Sequence, residues 1–245
     1  MMNTLVLTTS YTFEFALITM IAATLYFFLE RYNLSDEYKP VSTLAILTTA
    51  LAVVEYYNMR DFFTLENLSK DTLNYPTEYR YITWLIATPI MLYTYFVLTK
   101  FNKTQKLIVI ITISLNFLMI VSGYFAESSY SNNTMSITFS YLMFAVGFIS
   151  WLGIVFIFSR TLPKLINNQN NPNNAICLKC LSVVQKLVIF GWAIYPVGLF
   201  ITFFDGSVGT ALTREIIYNF GDCFNKVGFA LICFACAKKL SKKTT

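Results

Sequence analysis

Asp222-Cys223-Phe224-Asn225-Lys226 lies in the middle of an apolar stretch from 211 to 237. A helix crosses a bilayer with about 20 apolar residues, so this stretch is long enough to span. At about 1.5 Å per residue, Lys226 is roughly 18 Å from the lysines at 238 and 239, which is too deep for its amine to reach that end comfortably. Asp222 precedes Lys226 by four residues, so both side chains lie on one helix face. Ionisable side chains at this depth are costly and usually functional.

Two interpretations of this pair are open at this point. In the first, Lys226 and Asp222 form a structural ion pair inside a helical bundle. In the second, Lys226 is a free amine that condenses with a carbonyl compound, because a desolvated lysine is a good Schiff-base former. The remainder of the chain decides between them.

Composition identifies an integral membrane protein. Of 245 residues, 56% are hydrophobic and 13% are charged, about half the charged share of a soluble domain. The mean hydropathy is +0.57. The absence of histidine excludes His-based metal sites and Ser-His-Asp triads. The net charge of +5 comes from basic residues at the ends of apolar segments, so we interpret it as a topological signal and not as a nucleic-acid-binding surface.

Seven apolar segments predict an all-α membrane protein, a seven-transmembrane-helix bundle that occupies residues 1–245 as a single domain. The segments are 9–30, 41–60, 81–99, 107–126, 136–158, 178–204 and 211–237. Lysine and arginine are concentrated in the first, third and fifth connections and in the C-terminal tail. This positive-inside bias predicts an N-terminus outside and a cytoplasmic C-terminus.

Two connections and the cysteines have no assigned chemistry. The connection 61–79 is long and mixed in charge, and we expect a small lid there on the outer face. The asparagine-rich stretch 167–174 is a turn-prone loop without catalytic duty. Cys177 and Cys180 have CxxC spacing, but we recognise no second pair or histidine to complete a zinc site. We therefore expect all five cysteines to be free thiols packed in helices.

Several motifs resemble those of one family, the microbial rhodopsins. The stretch Arg80-Tyr81-Ile82-Thr83-Trp84-Leu85-Ile86-Ala87-Thr88-Pro89 resembles their third helix, and Trp192-Ala193-Ile194-Tyr195-Pro196-Val197-Gly198 resembles their sixth. Ile216-Ile217-Tyr218-Asn219, followed by Asp222 and Lys226, resembles the seventh helix of proteorhodopsins. Asn116, Met119 and Gly123 match the fourth-helix spacing. The resemblance covers most of the chain.

The resemblance implies that Lys226 carries all-trans retinal as a protonated Schiff base, with Asp222 and Arg80 in its counterion cluster. Independently of the resemblance, these residues suit a polyene, because aromatic side chains form a flat apolar slot and Gly123 leaves room for a ring. Pro89 and Pro196 would kink their helices around it. The retinal-binding residues that we expect are Lys226, Trp84, Thr88, Met91, Met119, Gly123, Trp192, Tyr195 and Pro196.

Three third-helix positions distinguish functions within the family, and here they are Thr83, Ala87 and Thr94. A proton pump needs a carboxyl group at the first position and usually at the third, since the proton leaves to one side and returns from the other. Threonine neither accepts nor supplies a proton at physiological pH, so outward pumping is not expected. The Thr-Ala-Thr triplet resembles the TAT rhodopsins of marine bacteria.

A light-driven inward chloride pump is the main alternative, because halide-pumping relatives also have a neutral residue beside an arginine. Ala87, however, offers no donor to an anion. Glu55 lies where proteorhodopsins often carry a histidine that touches the counterion, so we expect Glu55 to face Thr83 and to join the counterion cluster. At about 4 Å and an effective dielectric constant of 20, a carboxylate and a chloride repel by about 4 kcal/mol.

The same carboxylates suggest two further hypotheses. With no acceptor at Thr83, the dark state should divide with pH between a protonated visible-absorbing form and a deprotonated near-ultraviolet form. Glu55 and Asp222 also offer the oxygen ligands that a hard cation such as Ca²⁺ or Na⁺ requires.

We therefore predict a retinal-binding photoreceptor, not an enzyme, that senses light, with pH or a cation as a second input, and has little or no net ion transport. A retinal-free transporter or receptor with a structural Lys226–Asp222 pair is a third alternative. We expect a multi-pass protein of a bacterial inner membrane. Its expected partners are retinal, the lipid bilayer, further copies of itself as a homo-oligomer and an unidentified signalling protein, but no nucleic acid.

Overall fold

The structure is a computed structural model that describes residues 2–62, 78–101, 105–132, 135–168 and 173–244. Within these ranges it is all-helical. The seven helices are α1 (Met2–Glu30), α2 (Lys39–Met59), α3 (Glu78–Leu98), α4 (Lys106–Asn132), α5 (Ile137–Asn167), α6 (Asn174–Thr202) and α7 (Val208–Asp222, continued through Thr244). All seven are long and apolar enough to cross a membrane. The prediction of a seven-helix membrane bundle is therefore confirmed.

The helices begin and end close to the predicted positions, and most extend beyond them. The first starts at Met2 and not at 9, and the fourth runs to Asn132 and not to 126. The predicted limits marked where hydrophobicity ends, whereas backbone hydrogen bonding continues into the polar residues beyond. Ser136 and Ser207 explain two of the starts, because each side chain accepts a hydrogen bond from a backbone N–H three residues later.

Three helices contain a π-helical turn that the sequence did not predict. These turns are Ile157–Thr161 in α5, Leu187–Gly191 in α6 and Cys223–Gly228 in α7. Such turns insert an extra residue and are frequent at functional sites. The turn in α7 contains Lys226, and the turn in α6 ends one residue before Trp192.

Neighbouring helices pack in sequence order and α7 returns to pack on α1, so the bundle closes into a ring. Its outer surface is apolar, with side chains such as Ile18 and Ile149 more than 60% exposed. Charged side chains such as Glu55 and Arg80 are instead buried at its centre. We call the end that contains the N-terminus the N-terminal end and the other the C-terminal end. Residues 63–77 of the predicted lid (61–79) and residues 169–172 of the predicted asparagine-rich loop (167–174) lie outside the described residues.

Candidate functional site

Lys226 is buried at the centre of the bundle, 2% exposed, in contact with two carboxylates from different helices. Its Nζ donates to Asp222 Oδ2 at 2.7 Å and to Glu55 Oε2 at 2.8 Å. Asp222 precedes it on α7, and Glu55 comes from the last turns of α2. The Nζ atom marks where the nitrogen of a Schiff base would lie. Two buried carboxylates therefore face that nitrogen.

Tyrosine hydroxyls and one arginine hold the carboxylates in place. Tyr195 donates to Asp222 Oδ1 at 2.6 Å, and Tyr56 donates to Asp222 Oδ2 at 3.0 Å. Arg80 Nη1 lies 3.7 Å from Asp222 Oδ2 and 4.0 Å from Glu55 Oε1. The predicted association of Asp222, Arg80 and Glu55 around Lys226 is thus present in the structure, with Tyr56 as a member that the sequence did not indicate.

Thr83, Ala87 and Thr94 are all buried along α3. The hydroxyl of Thr94 donates to the carbonyl oxygen of Ile90 in its own helix at 2.8 Å. Glu55, which we expect to face Thr83, is hydrogen-bonded to Lys226. A carboxyl group from α2 therefore lies next to this lysine in addition to that of Asp222.

A second charged network, which sequence reasoning missed, extends from Arg80 toward the N-terminal end. Arg80 donates through Nε at 3.1 Å and Nη2 at 2.8 Å to Glu215 Oε2. Arg214 bridges Glu215 Oε1 at 3.0 Å and Glu127 Oε1 at 3.2 Å. Tyr81 donates to Glu127 Oε2 at 3.0 Å. Three cationic side chains and four carboxylates are thus connected from Lys226 to Glu127.

Charged residues inside or next to apolar segments of the sequence indicate this network. Arg214 and Glu215 are adjacent inside the seventh apolar segment, where charged side chains are rare and usually paired. Glu127 follows the predicted end of the fourth segment by one residue, so we had placed it in a connection. In the structure α4 continues to Asn132, and Glu127 is 3% exposed.

An apolar pocket starts at Lys226 and extends between α3, α4, α5 and α6. All the expected retinal-binding residues line it: Trp84, Thr88, Met91, Met119, Gly123, Trp192, Tyr195, Pro196 and Lys226. Residues that the sequence analysis did not single out also line it, among them Phe144, Gly147, Phe148, Trp151 and Leu199. Asp222 provides a carboxylate at the lysine end. The arrangement fits a long apolar molecule with one reactive end.

Aromatic packing and one interhelical hydrogen bond shape this pocket. The rings of Trp84 and Tyr195 meet edge to face with centroids 4.7 Å apart, a stabilising geometry for aromatic pairs. Thr88 donates to Asn116 Oδ1 at 2.9 Å and so connects α3 to α4. A Cβ on Gly147 would approach Ser122 Oγ to 2.9 Å, so only glycine fits this contact between α4 and α5.

The predicted cation site has no support in the structure. Among the described residues, no group of three or more His, Cys, Asp or Glu side chains is arranged to hold a metal ion. The physical reason is the charge already present, because the Lys226 ammonium contacts both carboxylates and the Arg80 guanidinium lies within 4.0 Å of each.

Comparisons with known proteins agree with this geometry. The green-light absorbing proteorhodopsin of Gamma-proteobacterium EBAC31A08 is 29% identical over 224 residues, which cover 91% of this chain and 83% of that protein. Sensory rhodopsin III of Haloarcula marismortui is 28% identical over 161 residues, covering 64% and 62% of the two chains. The crystal structure of Exiguobacterium sibiricum rhodopsin superposes with a TM-score of 0.89 at 34% identity and covers 97% of this chain and 98% of that one.

The family model for bacteriorhodopsin-like proteins matches residues 7–240, nearly the whole chain. Members of this family bind retinal through a Schiff-base lysine, and Lys226 is buried at the end of an apolar pocket in the seventh helix. The protein is therefore a multi-pass membrane protein and a member of the bacteriorhodopsin-like family, the microbial rhodopsins.

Proposed function

We propose that this chain is a single seven-helix photoreceptor domain of the TAT rhodopsin type, which senses light and transports little or no net ion. One observation supports this proposal above the others. Both carboxylates that contact Lys226 lie toward the N-terminal end of the bundle, whereas the third-helix position toward the C-terminal end is Thr94. A proton that leaves the Lys226 nitrogen toward the N-terminal end of the bundle therefore returns to it from the same end.

All-trans retinal is the proposed ligand, bound covalently to Lys226. Trp84, Trp192 and Tyr195 would surround the polyene, and the pocket extends to Met119 and Gly123. The apolar lining excludes water, and Asp222 together with Glu55 balances the positive charge of the lysine nitrogen. Retinal supplies the light absorption, and these side chains hold and orient it.

The chain's own groups determine where a proton goes. Glu55 and Asp222 are the nearest bases to the Lys226 nitrogen, at 2.8 and 2.7 Å. On the other side Thr94 carries a hydroxyl that is already donated to Ile90, and a hydroxyl is far too weak an acid to reprotonate an amine-derived nitrogen. A proton released to Glu55 or Asp222 therefore returns from the same carboxylate, and net transport is small.

The side chains around Lys226 argue against inward chloride transport, the alternative that the sequence left open. Glu55 and Asp222 occupy the positions next to Lys226 where an anion would bind. Ala87 has no donor to offer. A chloride about 4 Å from either carboxylate would be repelled by about 4 kcal/mol at an effective dielectric constant of 20.

The test is the light-induced pH change of cells that express the protein with retinal, with and without a protonophore. Pigment is first confirmed by absorbance, and Lys226→Ala is the control that should abolish it. We expect good pigment with a flat pH trace. Acidification abolished by the protonophore would show proton export, and chloride-dependent alkalinisation that grows with the protonophore would show anion uptake; either result would overturn the proposal.

Further proposals concern the membrane, the topology and the partners of the receptor. We propose a bacterial inner membrane with the N-terminus outside, since the basic residues of the connections are biased toward the C-terminal end. We also propose a homo-oligomer and a separate signalling partner. Crosslinking in native membranes, with and without light, tests both.

A further inference from the structure

The guanidinium group of Arg80 has partners on two sides, and most of its donors point away from Lys226. Its Nε and Nη2 atoms donate to Glu215 Oε2 at 3.1 and 2.8 Å, and Nη2 also donates to Asn219 Oδ1 at 2.5 Å. On the other side, Nη1 donates to the Tyr56 hydroxyl at 3.3 Å. Two of the three guanidinium nitrogens are therefore held by α7 side chains, and the third faces the Lys226 site.

This third nitrogen, Nη1, stops short of the two carboxyl groups at Lys226. It lies 3.7 Å from Asp222 Oδ2 and 4.0 Å from Glu55 Oε1, and both distances are longer than a hydrogen bond. Among the described residues, Glu55 Oε1 has no hydrogen-bond donor, although its side chain is buried. A buried acceptor without a donor is costly. An approach of about 1 Å by Arg80 would satisfy this oxygen.

Glu215 opposes this approach because it anchors Arg80 from the other side. The two oxygens of Glu215 serve different arginines: Oε2 accepts from Arg80, and Oε1 accepts from Arg214 Nε and Nη2 at 3.2 and 3.0 Å. Arg214 also pairs with Glu127 Oε1 of α4 at 3.2 Å, so Glu215 is itself held in place. Glu215 is buried, and charges attract each other more strongly away from water.

We propose that Glu215 is a positioning residue that holds Arg80 away from Glu55 and Asp222 and so preserves their negative charge for the Lys226 nitrogen. This inference rests on the proposed attachment of retinal to Lys226. A carboxylate that shares its charge with a guanidinium group stabilises a protonated nitrogen less well. If Arg80 moves toward the two carboxyl groups, the Schiff base therefore loses its proton at a lower pH.

Other ionisable groups also surround the nitrogen and Arg80. Besides the carboxyl groups already named, they are Tyr56 of α2, Tyr195 of α6, and Tyr218 and Cys223 of α7. From α1 the neutral Thr12 accepts a hydrogen bond from Asn219. Phenol and thiol groups are ordinarily neutral near pH 7. The carboxyl groups and Arg80 thus determine the charge around the nitrogen in that range.

The experiment measures the pH at which the visible band of the full-length, retinal-bound protein is lost. We expect the midpoint of Glu215→Gln to be about 1 to 2 units lower than that of the unmodified protein, because Arg80 is released toward Glu55 and Asp222. Glu215→Asp, which keeps the charge on a side chain one methylene shorter, should also lower it. Glu127→Gln removes a buried carboxyl group from the same network without a contact to Arg80, and it should change the midpoint far less.

A double variant separates positioning of Arg80 from a direct effect of the Glu215 charge. In an Arg80→Gln background, Glu215→Gln should have little further effect on the midpoint, since no guanidinium group is left to release. An equal shift in both backgrounds would show that the charge acts directly, and it would overturn the proposal. An unchanged midpoint in both Glu215→Gln and Glu215→Asp would overturn it as well.

A crystal structure of retinal-free Glu215→Gln tests the same displacement without pigment. We expect the distance from Arg80 Nη1 to Glu55 Oε1 to shorten from 4.0 Å to about 3 Å. If this distance stays at 4.0 Å, Glu215 does not position Arg80, whether or not the protein is a photoreceptor. If the unmodified protein forms no pigment, the proposed retinal function fails, and the distance still decides whether Glu215 holds Arg80.

Discussion

The side chain of Glu55 lies at Lys226 beside that of Asp222. Its Oε2 atom accepts from Lys226 Nζ at 2.8 Å, while the third-helix position that carries a carboxylate in proton pumps is Thr83 here. The carboxyl group that accompanies Asp222 at Lys226 thus comes from α2 and not from α3. We therefore expect the dark pigment of the proposed photoreceptor to depend on Glu55 as well as on Asp222, because a carboxylate in contact with a protonated nitrogen stabilises its positive charge.

The Glu55→Gln variant tests this dependence. We expect its visible band to be lost at a pH about 1 to 3 units lower than in the unmodified pigment, because one of two contacting negative charges is removed. The measurement is a spectral titration from pH 5 to 11. Glu127→Gln is the matched control, since Glu127 is also buried but contacts Arg214 and Tyr81 and not Lys226. Equal midpoints for the two variants would remove Glu55 from the counterion cluster.

The π turns of α6 and α7 are in direct contact. Asn225 Nδ2 donates to the Gly191 carbonyl oxygen at 2.9 Å, and that carbonyl belongs to the π turn of α6. A Cβ on Gly191 would lie 2.0 Å from Asn225 Oδ1. The two helices therefore approach closely only because residue 191 has no side chain.

Gly191→Ala should reduce the free energy of unfolding by about 1 to 3 kcal/mol, the usual cost of overpacking. Adding Asn225→Ala removes the clashing atom, so the double variant should lose less than the sum of the two single variants. Denaturant unfolding of the purified protein gives all the values. Gly206→Ala, with nothing within 4 Å of the added Cβ, is the neutral control. Additive losses would show that the clash is relieved elsewhere.

The start of α7 depends on a small polar turn at 205–210. Ser207 caps the helix, and the hydroxyl of Thr210, with the backbone and hydroxyl of Ser207, donates to Asp205. These hydrogen bonds hold the pKa of the Asp205 carboxyl below its usual value of 3.8. A carboxyl with a lowered pKa in the folded state stabilises above its unfolded pKa, and this contribution is lost as the pH falls through the folded value.

We therefore expect hydrogen exchange at the first turn of α7 to become faster, after correction for intrinsic rates, when the pH drops from 6 to below 3. Asp205→Asn should show no such acid dependence. Ser207→Ala should weaken protection at every pH by about 1 kcal/mol, the typical value of a helix cap. Acid-dependent exchange that persists in Asp205→Asn would assign the effect to another group. Amide exchange followed by mass spectrometry resolves this segment.

The bundle buries one network of charged side chains in its interior and places apolar side chains on its outer surface. Arg214, 11% exposed in its side chain, bridges Glu127 and Glu215, whereas Lys39 pairs with Asp36 at the surface, where the Asp36 side chain is 94% exposed. Removing one partner from a buried network leaves uncompensated charge, but water readily replaces a partner at the surface.

Arg214→Met should accordingly lower the free energy of unfolding by about 3 kcal/mol or more, and Lys39→Met by about 1 kcal/mol or less. Combining Arg214→Met with Glu127→Gln should recover part of the loss, since the unpaired carboxylate is then absent. Unfolding in mixed detergent micelles provides the comparison. Equal losses for the two single variants would mean that water reaches the Arg214 network.

The sequence alone determined the helices and the local geometry around Lys226. Seven apolar segments predicted seven helices, since backbone hydrogen bonds must be satisfied within a membrane-spanning segment. The four-residue spacing of Asp222 and Lys226 predicted their contact, and it occurs at 2.7 Å. The family motifs also placed Trp84, Gly123 and Tyr195 around one pocket.

Only the tertiary structure decided which distant residues meet. Glu55 reaches Lys226 across 171 residues of sequence, and Arg80 reaches Glu215 across 135. Such contacts depend on how each helix is rotated, and the π turns in α5, α6 and α7 change that rotation without a clear sequence signal. Spacing within one helix is local and can be read from the sequence, whereas the rotation of one helix against another is determined by packing over the whole bundle.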